Sequence, residues 1–120
     1  MLDIQIKTIP HGEQRYPTTG DYFREGRRLC FRVSELGNRK YELLAAVHEL
    51  VERILCEARG ITSHEIDRFD MASQANEPGD DPNSPYHREH VFAARIERML
   101  ARELRVDWDD YQNAIDQLYE

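Results

Sequence analysis

The residues of this chain best able to do chemistry gather in one run, His48-Glu49-Leu50-Val51-Glu52, inside a stretch whose apolar residues recur with helical period. With His48 at zero on a wheel of 100° per residue, Tyr41, Leu44, Ala45, Val51, Leu55 and Cys56 fall within about 80° of it. His48 therefore faces the core. Glu52 falls about 40° from His48 in the same apolar arc, whereas Glu42, Arg53 and Glu57 collect on the opposite side, expected to be solvated. A carboxylate withdrawn from water needs an ion pair, hydrogen bonds or a metal. His and Glu at i and i+4 project side by side, about 6 Å apart along the axis, which suits two ligands of one divalent ion. Glu49 lies about 100° from His48, at the edge of that face, where a base reaches water held by the ion without ligating the ion itself.

A third ligand must come from elsewhere, and His87-Arg88-Glu89-His90 is the other histidine-rich run. With His90 at zero, Tyr86, Ala93, Ala94, Glu97, Ala101 and Leu104 lie within about 60° of it, so His90 and Glu97 share the inward face of a second helix. His90 is the first choice as third ligand, His87 the next and Glu97 a further alternative. The alanines leave little bulk, which lets this helix come close to the first. A purely structural account competes: His48 donating to a backbone carbonyl, Glu52 paired with a buried arginine, and His87 and His90 near a helix start. Asp67 with Asp70 reads as a solvated face and Asp80-Asp81 as a turn.

The elements that must position these residues give an α+β chain, with an N-terminal two- or three-stranded antiparallel sheet packed on three to four helices. Ile4, Ile6 and Thr8 alternate with polar neighbours, as do the residues of Arg28 to Val33 beyond a turn at Glu25-Gly26. Two prolines and two glycines make Pro10 to Gly20 a loop. A helix runs from about Arg39 to Arg59, stopped by Gly60, and Thr62-Ser63-His64-Glu65 has the form of a capping box opening a shorter helix to about Ser73. Three prolines and a glycine make Glu77 to Pro85 a connection. Ser84-Pro85 starts a helix to about Arg105, and Asp107 caps a last one carrying Trp108, Tyr111, Ile115 and Leu118.

At 120 residues the chain has room for one domain. A net charge of −7 opposes nucleic-acid and anionic-membrane partners, no apolar run is long enough to span a bilayer, and the start lacks a secretory pattern, so a cytoplasmic location is expected. Cys30 and Cys56 sit in apolar segments and are expected to be buried thiols. Oligomeric state has no signal in the sequence.

The run Arg39-x-Tyr41-x-Leu43-x-Ala45-x-x-His48-Glu49-Leu50, following strands, resembles the short zincin-type metallopeptidase domains that cleave phage repressors. That resemblance implies zinc on the helix histidines and a downstream acidic residue, Glu49 as general base and a protein or peptide substrate. Glu52 stands where that family has its second histidine, and His87 to Ala94 echoes its downstream helix in another register. Ala46 to Glu52 together with Ser84 to His90 also resembles small uncharacterised phage and prophage proteins, which implies no activity. The favoured expectation is a zinc-dependent hydrolase of a peptide or amide bond, with His48, Glu52 and His90 or His87 on the metal and Glu49 activating the metal-bound water. A non-enzymatic interaction protein with the same cluster as a staple is the alternative. A magnesium-dependent nucleotide pyrophosphohydrolase uses Glu49 and Glu52 but lacks its second acidic helix, because Glu77-Pro78-Gly79-Asp80 reads as a turn.

Overall fold

A computed structural model describes all residues from Met1 to Glu120. Strands β1 (Ile4–Ile9), β2 (Gly20–Glu25) and β3 (Arg28–Ser34) precede helices α1 (Arg39–Ala58), α2 (Ser63–Ala72), α3 (His87–Glu103) and α4 (Trp108–Gln117). The sheet order is β1-β3-β2, with β3 in the centre. The fold is α+β, and its sheet is mixed: β2 pairs antiparallel with β3, but β1 pairs parallel with it, Ile6 beside Phe31 and Thr8 beside Val33.

The departure from a wholly antiparallel sheet lies in the loop between β1 and β2. A two-residue Gly26-Arg27 connection, with Gly26 at φ 63°, reverses β2 into β3. No such turn joins β1 to β2. Pro10 and Pro17 cannot donate to a ladder, and the loop crosses the end of β3 to reach its far side. Ser34 anchors the crossing: its hydroxyl lies 2.9 Å from His11 Nδ1, accepts from Gln14 Nε2 and donates to the Thr18 carbonyl.

Capping explains where the helices begin and end. Asn38 accepts from the Lys40 and Tyr41 amides at the start of α1, and Gly60, at φ 72°, ends it with an Ile61 amide bond to the Cys56 carbonyl. Thr62 and Glu65 close the capping box of α2, and Asp107 caps α4. Helix α3 starts later than Ser84-Pro85 predicts. Ser84 Oγ accepts from the Tyr86 amide in a separate turn, and His87 is the first helical residue.

Three apolar clusters hold the layers together. Phe31, Leu29 and Tyr22 of the sheet meet Cys56, Ile66 and Tyr86; Leu44 meets Ala101, Tyr111 and Ile115; and in the smallest Val33 of β3 meets Ala45 and Ala46 of α1. Both cysteines are free and buried. On α1 the residues Leu44, His48, Glu52 and Cys56 follow at four-residue steps, so one stripe leaves the second cluster, crosses two ionisable residues and enters the first. No helix is long and apolar enough to cross a membrane.

Candidate metal centre

Three donor atoms converge between α1 and α3. His48 Nε2 lies 3.1 Å from Glu52 Oε2 and 3.2 Å from His90 Nδ1, and His90 Nδ1 lies 3.0 Å from the same Glu52 oxygen. All three residues are buried, and their donor atoms are close enough together to share one metal ion.

Each imidazole is tied down at its other nitrogen. Glu97 Oε1 sits 2.7 Å from His48 Nδ1, and Asp80 Oδ1 sits 3.0 Å from His90 Nε2. An ionised carboxylate only accepts, so those nitrogens carry the hydrogens, and in the neutral rings His48 Nε2 and His90 Nδ1 are bare lone pairs. Two lone pairs and a carboxylate oxygen at these separations repel one another. Protons on both rings, or a single cation among the three, removes the repulsion. The separations fit an ion: bonds of about 2.0–2.1 Å in a tetrahedral site imply edges of about 3.3–3.4 Å. A carboxylate behind each ligating histidine is also how metal sites fix tautomer and ring orientation.

The outer groups are held in turn. Tyr111 of α4 donates to Glu97 Oε2 at 2.6 Å, and Tyr22 of β2 donates to Glu52 Oε1 at 2.9 Å. The cluster thus draws on β2, α1, α3, α4 and the turn before α3. Burial pushes imidazoles down, yet the bonded carboxylates Glu52 and Glu97 outweigh it and hold His48 well above its ordinary value. For His90 the same balance, with Asp80 and Glu52 opposing burial, gives about 10. Burial would raise Glu52, but the two rings bring it down to about 2. Without a metal, the shifts run towards protonated rings and an ionised Glu52 between them.

Glu49 stands apart from this network. Its carboxyl reaches into the same cleft and rests against the backbone of Gly20, where a Cβ would come within 2.5 Å of its carboxyl atoms. Burial, then the neighbouring charge of Glu52, raises it well above the usual carboxylate range. It forms none of the hydrogen bonds that bind the cluster. Gly79 plays the matching part for His90, since a side chain there would collide with the imidazole. Tyr86, Ile66, Ala45, Glu77 and Asp70 complete the walls of a cavity with about 50 Å³ open to the centre of a water molecule.

Of the residues singled out in the sequence, His48, Glu52 and His90 come together and Glu49 lines their cleft. His87 does not join them: its Nδ1 lies 2.8 Å from the Gly79 carbonyl oxygen, which steadies the turn carrying Asp80. Glu97 reaches His48 from behind. The acidic turn is a wall of the centre as well as a connection, and Asp70 is half-buried and accepts from both Tyr86 and Tyr16. Nothing in the spacing around Asp80, Gly20 or Gly79 points to these contacts. Tyr111, at helical spacing with Ile115, reads as core and is fully buried, but its hydroxyl serves Glu97.

No family model, curated protein or solved structure matches the chain.

Proposed function

We propose that the protein is a metal-dependent hydrolase of amide bonds, with zinc as the ion. The observation carrying this reading is the convergence of His48 Nε2, His90 Nδ1 and Glu52 Oε2 within 3.2 Å, with both rings oriented from behind by carboxylates. Two imidazoles and one carboxylate lining a cleft are the ligand set of catalytic rather than closed zinc sites. An ion held there acts as a Lewis acid and brings the pKa of water down towards neutrality.

The chain's own groups supply the rest. Glu49 is unengaged, has a raised proton affinity and sits in the cleft, which suits it to accept a proton from water and return it to a leaving amine. Glu97 and Asp80 keep both rings in the tautomer that presents a lone pair, and Tyr22 holds the second oxygen of Glu52, leaving the first for the ion. Gly20 leaves the space that the Glu49 carboxyl occupies.

Elemental mass spectrometry of the untagged protein, followed by a peptide-library digest before and after chelation, tests this. About one zinc per chain and cleavage abolished by chelator and by Glu49→Gln are expected. Zinc bound without any cleavage would make the centre a staple between α1 and α3; a chain that takes up no divalent ion would end the reading.

A further inference from the structure

Charge on the cleft walls carries the hydrolase reading one step further, to the substrate. Seven carboxylates line the cleft, and no lysine or arginine does. A divalent ion and the nearby Arg15, which forks onto Asp21 and Asp67, would offset three of these charges. Burial raises Glu49 well above the usual carboxylate range, Glu77 to about 7 and Asp70 to about 6, so Asp70 is the most readily ionised of them. Asp70 has no cationic partner: Tyr86 OH donates to one of its oxygens at 2.6 Å and Tyr16 OH to the other at 3.1 Å. Glu77 approaches only His90, at 3.7 Å. Tyr86 joins this end of the cleft to the metal centre, because its ring centroid lies 6.2 Å from that of His90 while its hydroxyl holds Asp70.

A cleft of this sign repels phosphates and carboxylates and concentrates cations. Phenol rings beside a fixed carboxylate also suit an ammonium or guanidinium group, which gains from both the charge and the ring faces. We propose that the cleft selects amide substrates bearing a cationic group, an amine or guanidinium, seated against Asp70 between Tyr16 and Tyr86. The selection rests on the hydrolase reading for its amide and on the cleft walls for its charge.

The probes are three hydroxamates, which chelate an open metal position and differ only in side-chain charge: those of N-acetyl-lysine, N-acetyl-norleucine and N-acetyl-glutamate. Each is titrated by calorimetry into the zinc-loaded full chain, with loading verified by elemental analysis. The lysine compound should bind about tenfold or more tighter than the norleucine compound, and the glutamate compound should bind weakest. Raising the salt to about 0.5 M should shrink the spread, since screening acts on this preference and not on chelation. Asp70→Asn should reduce the lysine advantage several-fold, and Glu77→Gln provides the same comparison should Asp70→Asn fail to fold. Equal affinities, or the glutamate compound binding best, would overturn the selectivity and leave the metal reading standing. A loaded chain that binds none of the three has no open position, which overturns both, as does a chain that never loads.

Discussion

The contact between α1 and α3 is built in two ways within one stripe. At one end Leu44 packs among Ala101, Tyr111 and Ile115, all apolar in their packed parts and all buried. In the middle His48, Glu52, His90 and Glu97 fill the same layer, equally buried but ionisable. The apolar end needs only close packing to be stable. The middle needs each charge matched, and a ring of hydrophobic residues there would fold as well or better. Four ionisable groups in the main helix–helix contact, held by two tyrosines and an aspartate, are compatible with a bound divalent ion and do not give the strongest packing.

Glu52→Gln should break that balance most severely. It leaves two buried imidazolium rings facing each other without their carboxylate, a loss of about 3–5 kcal/mol in a denaturant titration of the metal-free protein. It should also abolish stable metal loading. Leu44→Ala, at the apolar end, should cost about 2–5 kcal/mol through its cavity while the metal content stays at the wild-type level. If Glu52→Gln leaves melting and loading unchanged, the middle is as passive as the end.

Glu49→Gln should separate chemistry from structure. Turnover should fall by ~10²-fold or more while melting temperature and zinc content persist, because Glu49 holds nothing together. Gly20→Ala approaches the same carboxyl from the other side and should cut turnover by up to ~10²-fold through displacement of Glu49. Full activity of Glu49→Gln removes Glu49 as the base, whereas full activity of Gly20→Ala shows that the carboxyl tolerates displacement.

Glu97→Gln tests the support behind His48, and a fall of about 10–100-fold in zinc affinity by competition with a chelator is expected. An unchanged affinity would mean that packing alone orients the ring.

The pH response follows from the same centre. In the metal-free protein His90 is raised from 6.5 to about 10, so its contribution is whole below 6.5 and fades as pH climbs towards 10. Glu52, lowered from 4.5 to about 2, contributes fully above 4.5 and loses its share as pH falls towards 2. These two contributions favour the metal-free form between about pH 4.5 and 6.5. Zinc needs both rings deprotonated, so the gain in melting temperature on adding zinc should grow from pH 6 to pH 9. A gain that shrinks over that range would exclude the imidazoles as ligands.

The smallest effect lies far from the centre. Arg105 ends α3 at φ 57°, with the Val106 amide bonded to the Ala101 carbonyl, so Arg105→Gly should raise stability by about 1 kcal/mol with zinc affinity unaltered.

Local periodicity made the helices, the Gly60 stop of α1, the caps of α2 and α4 and the inward faces of His48, Glu52, His90 and Glu97 legible in the sequence, but not the start of α3. Period and capping depend on neighbours within a turn or two. What stayed hidden came from distant chain segments brought together. Asp80 meets His90 because a turn of Pro78 to Asp80 folds over the start of α3, and Tyr22 meets Glu52 because β2 lies beneath α1. The parallel pairing of β1 was equally hidden, since alternation marks a strand without giving its direction.

Two glycines carry a consequence for recognising kin of this chain. Neither Gly20 nor Gly79 has a positive φ, so neither is required by a turn; each is kept clear by the side chain it faces, Glu49 or His90. A diverged relative is free to replace Leu44 or Ile115 with other apolar residues, but a methyl at either glycine would push a functional group out of place. Ancestry is therefore best traced by a sparse signature, glycine opening β2, His-Glu-x-x-Glu on α1, Gly-Asp in the turn before α3 and His with Glu seven residues later on α3. A chain that has the histidines and glutamates but bulky residues at both glycines would share the scaffold without the placement of Glu49 and His90 seen here.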